Sequence, residues 1–199
     1  MNQVRRDRLR DAAVEVLSEE GGRGLTHRAV DAAAQVPLGT TKNYYPTRDA
    51  LLGAVAARCA EQYRAVAAQL VAVGAASGGR DGLVRMLRGL LANVAGPGRS
   101  RMLAYRELQA DAARRPWLAG LLDPISAADF TGFEQAQRAA GLPVTRQRAA
   151  TVTLALHAAV PHLLDAGPAT LAAAGLDDLD RFVRDLLDTV YPDGPDGGS

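Results

Sequence analysis

Apolar residues recur every three or four positions along most of the chain, which is the period of an amphipathic helix, and no segment alternates as a strand does. The first such pattern ends at Gly21 and Gly22, a pair that is typical of a helix C-terminus. The apolar face of that helix consists of Leu9, Ala12, Ala13, Val16 and Leu17. The pattern as a whole predicts an all-α protein of about nine helices.

A short second helix is predicted to begin after Thr26, whose side chain suits an N-cap. Its apolar positions Val30, Ala33 and Ala34 are expected to face inward, and the segment QVPLG ends it. The helix is therefore only about two turns long.

A third helix is predicted from about Leu38 to Tyr45. It stops before Pro46 because a residue that precedes a proline avoids the α region. Thr47 then caps a long fourth helix that runs to about Val73. The apolar positions of this fourth helix are Leu51, Leu52, Val55, Ala56, Cys59, Tyr63, Val66 and Leu70.

The rest of the chain is divided by breaks rich in glycine and proline. The helices predicted there span Asp81–Val94, Arg99–Ala113, Leu118–Ala140, Thr145–Ala166 and Leu176–Tyr191. An interruption is expected near Pro124. The helix 145–166 is rich in alanine, and the last helix has a wide apolar stripe.

Composition and charge limit the class of protein. With 199 residues, of which 48% are hydrophobic, the chain can bury a substantial core. It has no run of 18 apolar residues, and its charged N-terminal segment lacks the apolar centre of a signal peptide. Cys59 is the only cysteine, which excludes an internal disulfide and a cysteine-based metal cluster. We therefore expect a cytoplasmic protein with no membrane association.

The net charge of +1 means that any basic surface for nucleic acid must be local. Lys42 is the only lysine among 23 basic residues, and the others are all arginine. The simplest reading of this bias is the codon usage of a GC-rich genome. The position of Lys42 within a short polar segment is a separate observation.

Residues 26–45 have the size and order of a helix-turn-helix unit, because two short helices follow an amphipathic one. Helix geometry places Thr41 and Tyr45 on one face, which we expect to be buried. Polar side chains on the other face can reach base edges or phosphates in a major groove. That face contains Thr40, Asn43 and Tyr44, and Leu38, Gly39 and Lys42 lie beside it.

The segment LTHRAVDAAAQVPLGTTKNYYPTRDALL resembles the DNA-binding signature of TetR-family transcriptional regulators. The family pattern has a Thr that opens helix two, a Gly-Thr in the recognition helix, an aromatic pair, and then Pro-Ser/Thr-Lys/Arg-Asp/Glu-Ala-Leu-Leu. The close match covers roughly residues 9–52. The resemblance implies a helix-turn-helix DNA-binding domain at 1–46 and a ligand-binding and dimerisation domain at 47–191. We expect the remaining residues, 192–199, to be a disordered tail.

The resemblance also implies individual roles in DNA binding. Thr26 is similar to the residue that binds phosphate at the start of helix two, Arg28 to a base-reading residue, and Arg48 to the cation that binds phosphate at the start of helix four. The full set implied is Thr26, His27, Arg28, Pro37, Leu38, Gly39, Thr40, Lys42, Asn43, Tyr44 and Arg48.

Three residues depart from the family pattern. Gln35 stands where glycine is common, because the turn favours a left-handed residue, and the strain costs on the order of 1 kcal/mol. Thr41 stands where Leu is common and is expected to weaken a core contact. Lys42 stands where Tyr is common and replaces an aromatic hydroxyl with a charge. The alternative for Lys42 is a solvated residue on the helix face.

For the C-terminal part, the resemblance implies a pocket for a small molecule and a homodimer formed through the last two helices. The alternative is that the apolar stripes of those helices face their own core. The candidates for the pocket, each of which is otherwise an ordinary core residue, are Met102, Tyr105, Arg106, Trp117, Phe130, Phe133, His157 and His162. His157 and His162 are five positions apart, which serves a shared metal poorly, so we expect no metal and no cofactor.

We therefore expect a ligand-responsive, dimeric repressor that binds a palindromic operator in double-stranded DNA and is released by a small, largely apolar effector. The alternative is a TetR-like activator, or a regulator that acts through protein partners. An enzyme is not expected, because the sequence places no nucleophile beside a base, no phosphate loop and no carboxylate pair.

Overall fold

The computed structural model describes residues 3–192, which form ten α-helices and no strand. This confirms the predicted all-α class. The helices are α1 (Gln3–Gly24), α2 (His27–Ala33), α3 (Thr40–Tyr44), α4 (Arg48–Ser77), α5 (Gly79–Ala95), α6 (Arg99–Ala112), α7 (Pro116–Ala139), α8 (Arg146–Asp165), α9 (Pro168–Ala173) and α10 (Leu179–Val190). There is one helix more than predicted, because the short α9 carries no amphipathic signal of its own. Of the tail expected at 192–199, only Pro192 lies within the described residues.

The helices pack into two compact units. Within the described residues, the first comprises 3–65 and 98–125, and the second comprises 66–97 and 126–192. Both α4 and α7 therefore contribute residues to both units. The boundary predicted after residue 46 separates functional domains and stays a prediction, since the packing divides the chain at other positions.

The core of the first unit forms around α1 and α4. The predicted apolar face of α1 is confirmed, with Leu9 and Ala13 fully buried, and Leu51 and Val55 of α4 are buried with them. The inward position predicted for Ala33 is wrong. That residue is exposed, because Val30 and the residue four positions after it, Ala34, occupy the buried face of α2.

Charged side chains also join α1 to α4. Arg10 is only 8% exposed and pairs with Asp7 at 3.2 Å and with Glu61 at 2.6 Å. Arg58 on α4 pairs with Asp11 at 2.6 Å, and this hydrogen bond raises the pKa of Arg58. Two arginines of this unit are therefore committed to protein carboxylates rather than to a charged ligand.

The core of the second unit joins α5, α8 and α10. The apolar stripe of α10 is confirmed by Val183 and Leu187, which are fully buried. At the end of α10, the buried hydroxyl of Tyr191 donates to Gln137 Oε1 at 2.8 Å. Arg184 pairs with Asp81 at 2.9 Å and so links α10 to α5 at the surface.

Several predicted helix limits after α3 are wrong. α4 continues to Ser77, four residues past its predicted end at about Val73. Pro124 does not interrupt α7, which is helical from Pro116 to Ala139, although an interior proline removes one backbone donor and crowds the carbonyl four residues before it. The last helix begins at Leu179 rather than Leu176. Asp178 caps it by accepting from two backbone N–H groups. In residues 3–192, no helix combines the length and the apolar character that crossing a membrane requires.

Candidate nucleic-acid interface

The turn between α2 and α3 sets where the predicted recognition helix begins. Thr26 caps α2 as predicted, since its Oγ1 accepts from Ala29 N at 3.1 Å. The third helix begins at Thr40, two residues later than predicted, because Gly39 has a left-handed backbone with φ of 88°. A left-handed residue cannot continue an α-helix, so Leu38 lies in the turn before the helix.

A second left-handed residue lies in the same turn. Gln35 has φ of 51° and is the one non-glycine residue with positive φ within residues 3–192. This confirms that the position requires a left-handed backbone, which the sequence pattern indicated. The backbone is therefore strained at Gln35, because a residue with a side chain is unfavourable at positive φ.

Asp31 on α2 binds the first turn of α3. Its side chain is almost fully buried, with 1% exposed. Oδ2 accepts from Gly39 N at 2.7 Å, and Oδ1 accepts from Thr41 N at 2.7 Å and from Thr41 Oγ1 at 2.5 Å. The expectation that Thr41 weakens a core contact is therefore wrong, because its hydroxyl has a buried hydrogen-bond partner.

The other end of α3 is held by His27. Its Nε2 lies 2.6 Å from the carbonyl oxygen of Tyr45, the residue that follows α3. Tyr45 and Thr41 are both buried, which confirms the inward face predicted for this helix. Burial raises the pKa of Tyr45. His27, expected in the DNA-binding set, is thus engaged inside the unit through one ring nitrogen.

The outward face of α3 presents two polar side chains to solvent, Lys42 and Asn43. Leu38 is 75% exposed beside them. Thr40 is half-buried, and its hydroxyl donates to Pro37 O at 2.6 Å, so its proton is already used.

The remaining members of the expected DNA-binding set differ in exposure. Arg28, Pro37 and Gly39 are exposed. Tyr44 is half-buried against the core of the first unit, so its ring is less available than the sequence pattern implied.

Arg48 lies at the start of α4, after Thr47, which caps that helix by accepting from Ala50 N at 3.0 Å. The guanidinium of Arg48 donates to the carbonyl of Leu25 at 2.7 Å and to the carbonyl of Gly22. It therefore holds the junction between α1 and α2. The phosphate contact implied for Arg48 stays a prediction.

A residue of α6 meets the same junction. Gly21 breaks α1 with φ of 67° and ψ of −175°, and the N–H of Gly22 then donates to Glu107 Oε2 at 3.1 Å. Neither Glu107 nor Asp31 was identified from the sequence. Glu107 acts through a contact between residues that are far apart in the chain. Asp31 acts across a turn, which the periodicity of apolar residues does not describe.

The candidate pocket residues fall into both units. In the first unit, Met102, Tyr105 and Arg106 are half-buried and Trp117 is 41% exposed. In the second, Phe130, Phe133 and His157 are half-buried and His162 is exposed.

Two of the candidates in the second unit meet. The rings of Phe130 and His157 pack edge to face at 5.7 Å, and His157 Nε2 lies 3.3 Å from Asp129 Oδ2. Phe133 packs against the core of that unit.

A cavity of about 260 Å³ lies in the second unit between α4, α5 and the end of α7. Gly74 of α4 faces Gly82 of α5, and a Cβ on Gly82 would lie 2.3 Å from Gly74 O. The lining also includes Val71, Met86 and Ala139. No sequence pattern predicts this cavity, because the small residues that line it carry no functional side chain.

Comparisons with known proteins agree with the fold. A family model for the tetracyclin repressor-like C-terminal domain matches residues 78–189. A member of the TetR family from Streptomyces coelicolor A3 is 27% identical, with a TM-score of 0.69 over 95% of this chain and 99% of that chain. The multidrug binding protein EbrR in complex with imidazole is 27% identical, with a TM-score of 0.63 over 98% of each chain.

A TetR-family transcriptional regulator from Rhodococcus sp. is 23% identical and shares the fold, with a TM-score of 0.72 over 94% of this chain and 99% of that chain. No curated protein matches the sequence. The family model covers more than half of the 199 residues. The chain therefore belongs to the TetR family of transcriptional regulators.

Proposed function

We propose that the protein is a ligand-responsive, dimeric transcriptional repressor that binds an inverted-repeat operator and is released by a small, largely apolar effector. The observation that carries the proposal is the arrangement of α3. Asp31 and His27 hold its two ends from α2, while Lys42 and Asn43 stay exposed on its outer face. A short helix fixed from behind with polar side chains in front suits insertion into a major groove.

The expected contacts have separate roles. Asn43 can read an adenine edge, and Lys42 can donate to guanine or to phosphate. Arg28 is exposed one residue after the start of α2 and can pair with a guanine edge. The hydroxyl of Thr26 can still donate to a phosphate, because the cap of α2 uses only its oxygen, as an acceptor.

Dimerisation through α8 and α10 is supported by an exposed apolar position on α8. Leu154 is 58% exposed, and the residues one turn from it on the same face, Thr151 and Ala158, are small and exposed. Small residues allow two helices to approach closely, and a two-fold axis would place two copies of α3 about 34 Å apart or at a multiple of that spacing.

The cavity between α4, α5 and α7 is the site that we propose for the effector. Its lining residues are apolar or glycine, and its volume of about 260 Å³ is slightly below the roughly 300–1,000 Å³ of typical ligand pockets, so it suits a compact molecule. A structure of EbrR is of its complex with malachite green, and that chain is 25% identical to this one with a TM-score of 0.67. An aromatic effector small enough for the cavity is therefore the first class to test.

The test of DNA binding is selection from random duplexes, followed by affinity measurements at several salt concentrations. We expect an inverted repeat with half-sites about 10 bp apart or more, and an affinity that falls steeply with salt because phosphates are neutralised. Single asymmetric sites or a salt-independent affinity would contradict the proposal. Transcription from the selected site, with and without the protein, separates a repressor from an activator.

Two variants refine this test. Arg28→Ala is expected to cost about 1–3 kcal/mol of binding free energy and to relax the preference at one base pair per half-site. The matched control is Arg88→Gln on α5, which removes an exposed arginine of the second unit and should leave the selected sequence unchanged. An equal loss on all sequences for Arg28→Ala would make Arg28 a phosphate contact.

A further inference from the structure

The recognition helix cannot hold itself in place. α3 has five residues, and a helix of that length is not stable alone in water. Its N-cap residue, Gly39, has no side chain to satisfy the first N–H groups. The position of α3 must therefore come from groups on other elements.

A single buried carboxylate supplies most of what the start of α3 lacks. Asp31 accepts from the N–H of Gly39, the N–H of Thr41 and the hydroxyl of Thr41, all within 2.5–2.7 Å. The N–H of Thr40 donates instead to Pro37 O at 3.1 Å. The first three N–H donors of this turn are thus all used inside the protein.

Three donated hydrogen bonds favour the ionised form of this carboxylate. Burial raises the pKa of Asp31, but the hydrogen bonds from Thr41 and Gly39 and the nearby His27 outweigh burial, so that the pKa lies below its ordinary value. A charged acceptor makes shorter and stronger hydrogen bonds than a neutral one. The contact is therefore more rigid than an apolar contact between the same two helices.

We propose that Asp31 is the positioning residue of the recognition helix, with the Thr41 hydroxyl as its specific partner, and that this pair controls the sequence specificity of DNA binding. The proposal rests on the DNA-binding function proposed above. Because the N–H groups of Gly39 and Thr41 are bound to Asp31, the start of α3 does not offer them to a phosphate. Reading of the operator depends on side chains whose position Asp31 determines.

Specificity should suffer more than general affinity when this pair is broken. Hydrogen bonds to base edges need a donor–acceptor distance near 3 Å and good alignment, so a small displacement of α3 removes them. Contacts from arginine or lysine to phosphate tolerate such a displacement, because the side chains are long and the attraction is not directional. The two kinds of contact can therefore be told apart by measurement.

The experiment compares four variants of the full chain. Asp31→Asn keeps the shape but replaces one acceptor oxygen with a donor. Thr41→Val replaces the hydroxyl with a methyl group, and Thr41→Ser keeps the hydroxyl. Asp11→Asn is the matched control, since the carboxylate of Asp11 accepts from Arg58 and Gln62 of α4 rather than from α3. Each variant is tested on the selected operator and on random duplex of the same length.

We expect Asp31→Asn and Thr41→Val to lower the ratio of operator affinity to random-duplex affinity by about tenfold or more, which is the effect of losing one base-pair contact. Thr41→Ser and Asp11→Asn should keep that ratio. If Asp31→Asn and Thr41→Val weaken both DNAs equally, or if Thr41→Ser behaves as Thr41→Val does, the role of the pair in specificity is overturned. Thr41→Val also carries the test if Asp31→Asn does not fold.

Hydrogen exchange separates this inference from the proposed function. In the variant Asp31→Asn, the amide hydrogen of Thr41 should exchange about tenfold faster or more than in the unchanged chain. The reason is that the free energy of local opening of α3 is lower in the variant. Asp11→Asn should leave that rate as it is. If the unchanged chain selects no DNA sequence, the proposed function fails, and the exchange rates still decide whether Asp31 holds α3. An unchanged rate in Asp31→Asn overturns the positioning role.

Discussion

The guanidinium of Arg48 donates to the carbonyl oxygen of Leu25 at 2.7 Å, so that the start of α4 is tied to the residue between α1 and α2. The same guanidinium donates to the carbonyl of Gly22. These carbonyls lie at the end of α1, where the last oxygens have no partner within the helix. Arg48 is therefore a structural link within the helix-turn-helix unit, whatever it contributes to DNA binding.

The first prediction concerns this link. Arg48→Ala is expected to lower the free energy of unfolding by about 1–2 kcal/mol, because hydrogen bonds from a partly exposed charged group are lost. Arg28→Ala, which removes an exposed arginine nearby, should have almost no effect on stability. Urea denaturation of both variants is the measurement, and equal stability of the two would show that the contacts of Arg48 contribute nothing.

The second prediction concerns the strained turn. Gln35→Gly is expected to raise the free energy of unfolding by about 0.5–1 kcal/mol, because glycine adopts φ of 51° without the clash that a side chain has. Gln69→Gly is the matched control. That residue is exposed in the middle of α4, where glycine should destabilise by about 1 kcal/mol. If both changes lower stability, Gln35 is not strained.

Local patterns predicted much of the helix-turn-helix unit. The cap at Thr26 and the buried pair Thr41 and Tyr45 each depend on a few neighbouring residues, and both predictions are confirmed. The left-handed position at Gln35 was implied by the family resemblance and is confirmed too. The start of α3 was placed two residues early, because Leu38 looks helical unless Gly39 is known to be left-handed. Short-range rules thus find elements more reliably than their limits.

The parts that the sequence did not reveal depend on contacts between distant segments. No sequence pattern singles out Asp31, and only the fold places it against Thr41. The cavity beside Gly74 and Gly82 likewise leaves no pattern in the sequence, since it arises where small residues of different helices meet. A polar residue at a position where a buried apolar one is expected is a useful signal of such a contact. Thr41 is a residue of this kind.

The third prediction is a pH dependence. Since the pKa of folded Asp31 is below its ordinary value of 3.8, the stability that the carboxylate adds is full above that value. It is lost as the pH falls from 3.8 through the lower pKa of the folded protein. The difference in unfolding free energy between the unchanged chain and Asp31→Asn should be constant above about pH 5 and narrow below pH 3.8. Denaturation at several pH values measures it, and a difference that widens in acid would reverse the sign that we derive.

The fourth prediction uses the only lysine. Amine-selective acetylation can modify Lys42 and the α-amino group of Met1, and at Lys42 it removes a charge and a donor from the exposed face of α3. We expect acetylation to weaken operator binding and bound operator to protect Lys42. The variant Lys42→Arg should resist the loss, which separates Lys42 from Met1. Equal modification of Lys42 with and without DNA would make it a solvated bystander.

The last prediction concerns release from DNA. The cavity is lined by Val71, Gly74 and Ala75 of α4, and the same helix begins at Arg48 in the helix-turn-helix unit. In the proposed dimer, a ligand in the cavity would change the spacing of the two copies of α3 only if it prefers one pose of α4. We expect a small, largely apolar compound to bind there and to lower operator affinity with a coupling of about 1–3 kcal/mol.

The following measurements decide whether the cavity is the effector site. Ala139→Leu should fill part of the cavity from an exposed position, so that ligand affinity falls while operator affinity without ligand is unchanged. By thermodynamic reciprocity, any compound that weakens operator binding must itself bind the DNA-bound protein more weakly by the same factor. Trp117 is the only tryptophan, so a change in protein tryptophan fluorescence on ligand addition has a single source. If every compound that binds in the cavity leaves operator affinity unchanged, the cavity is not the effector site and the protein binds its operator without this switch.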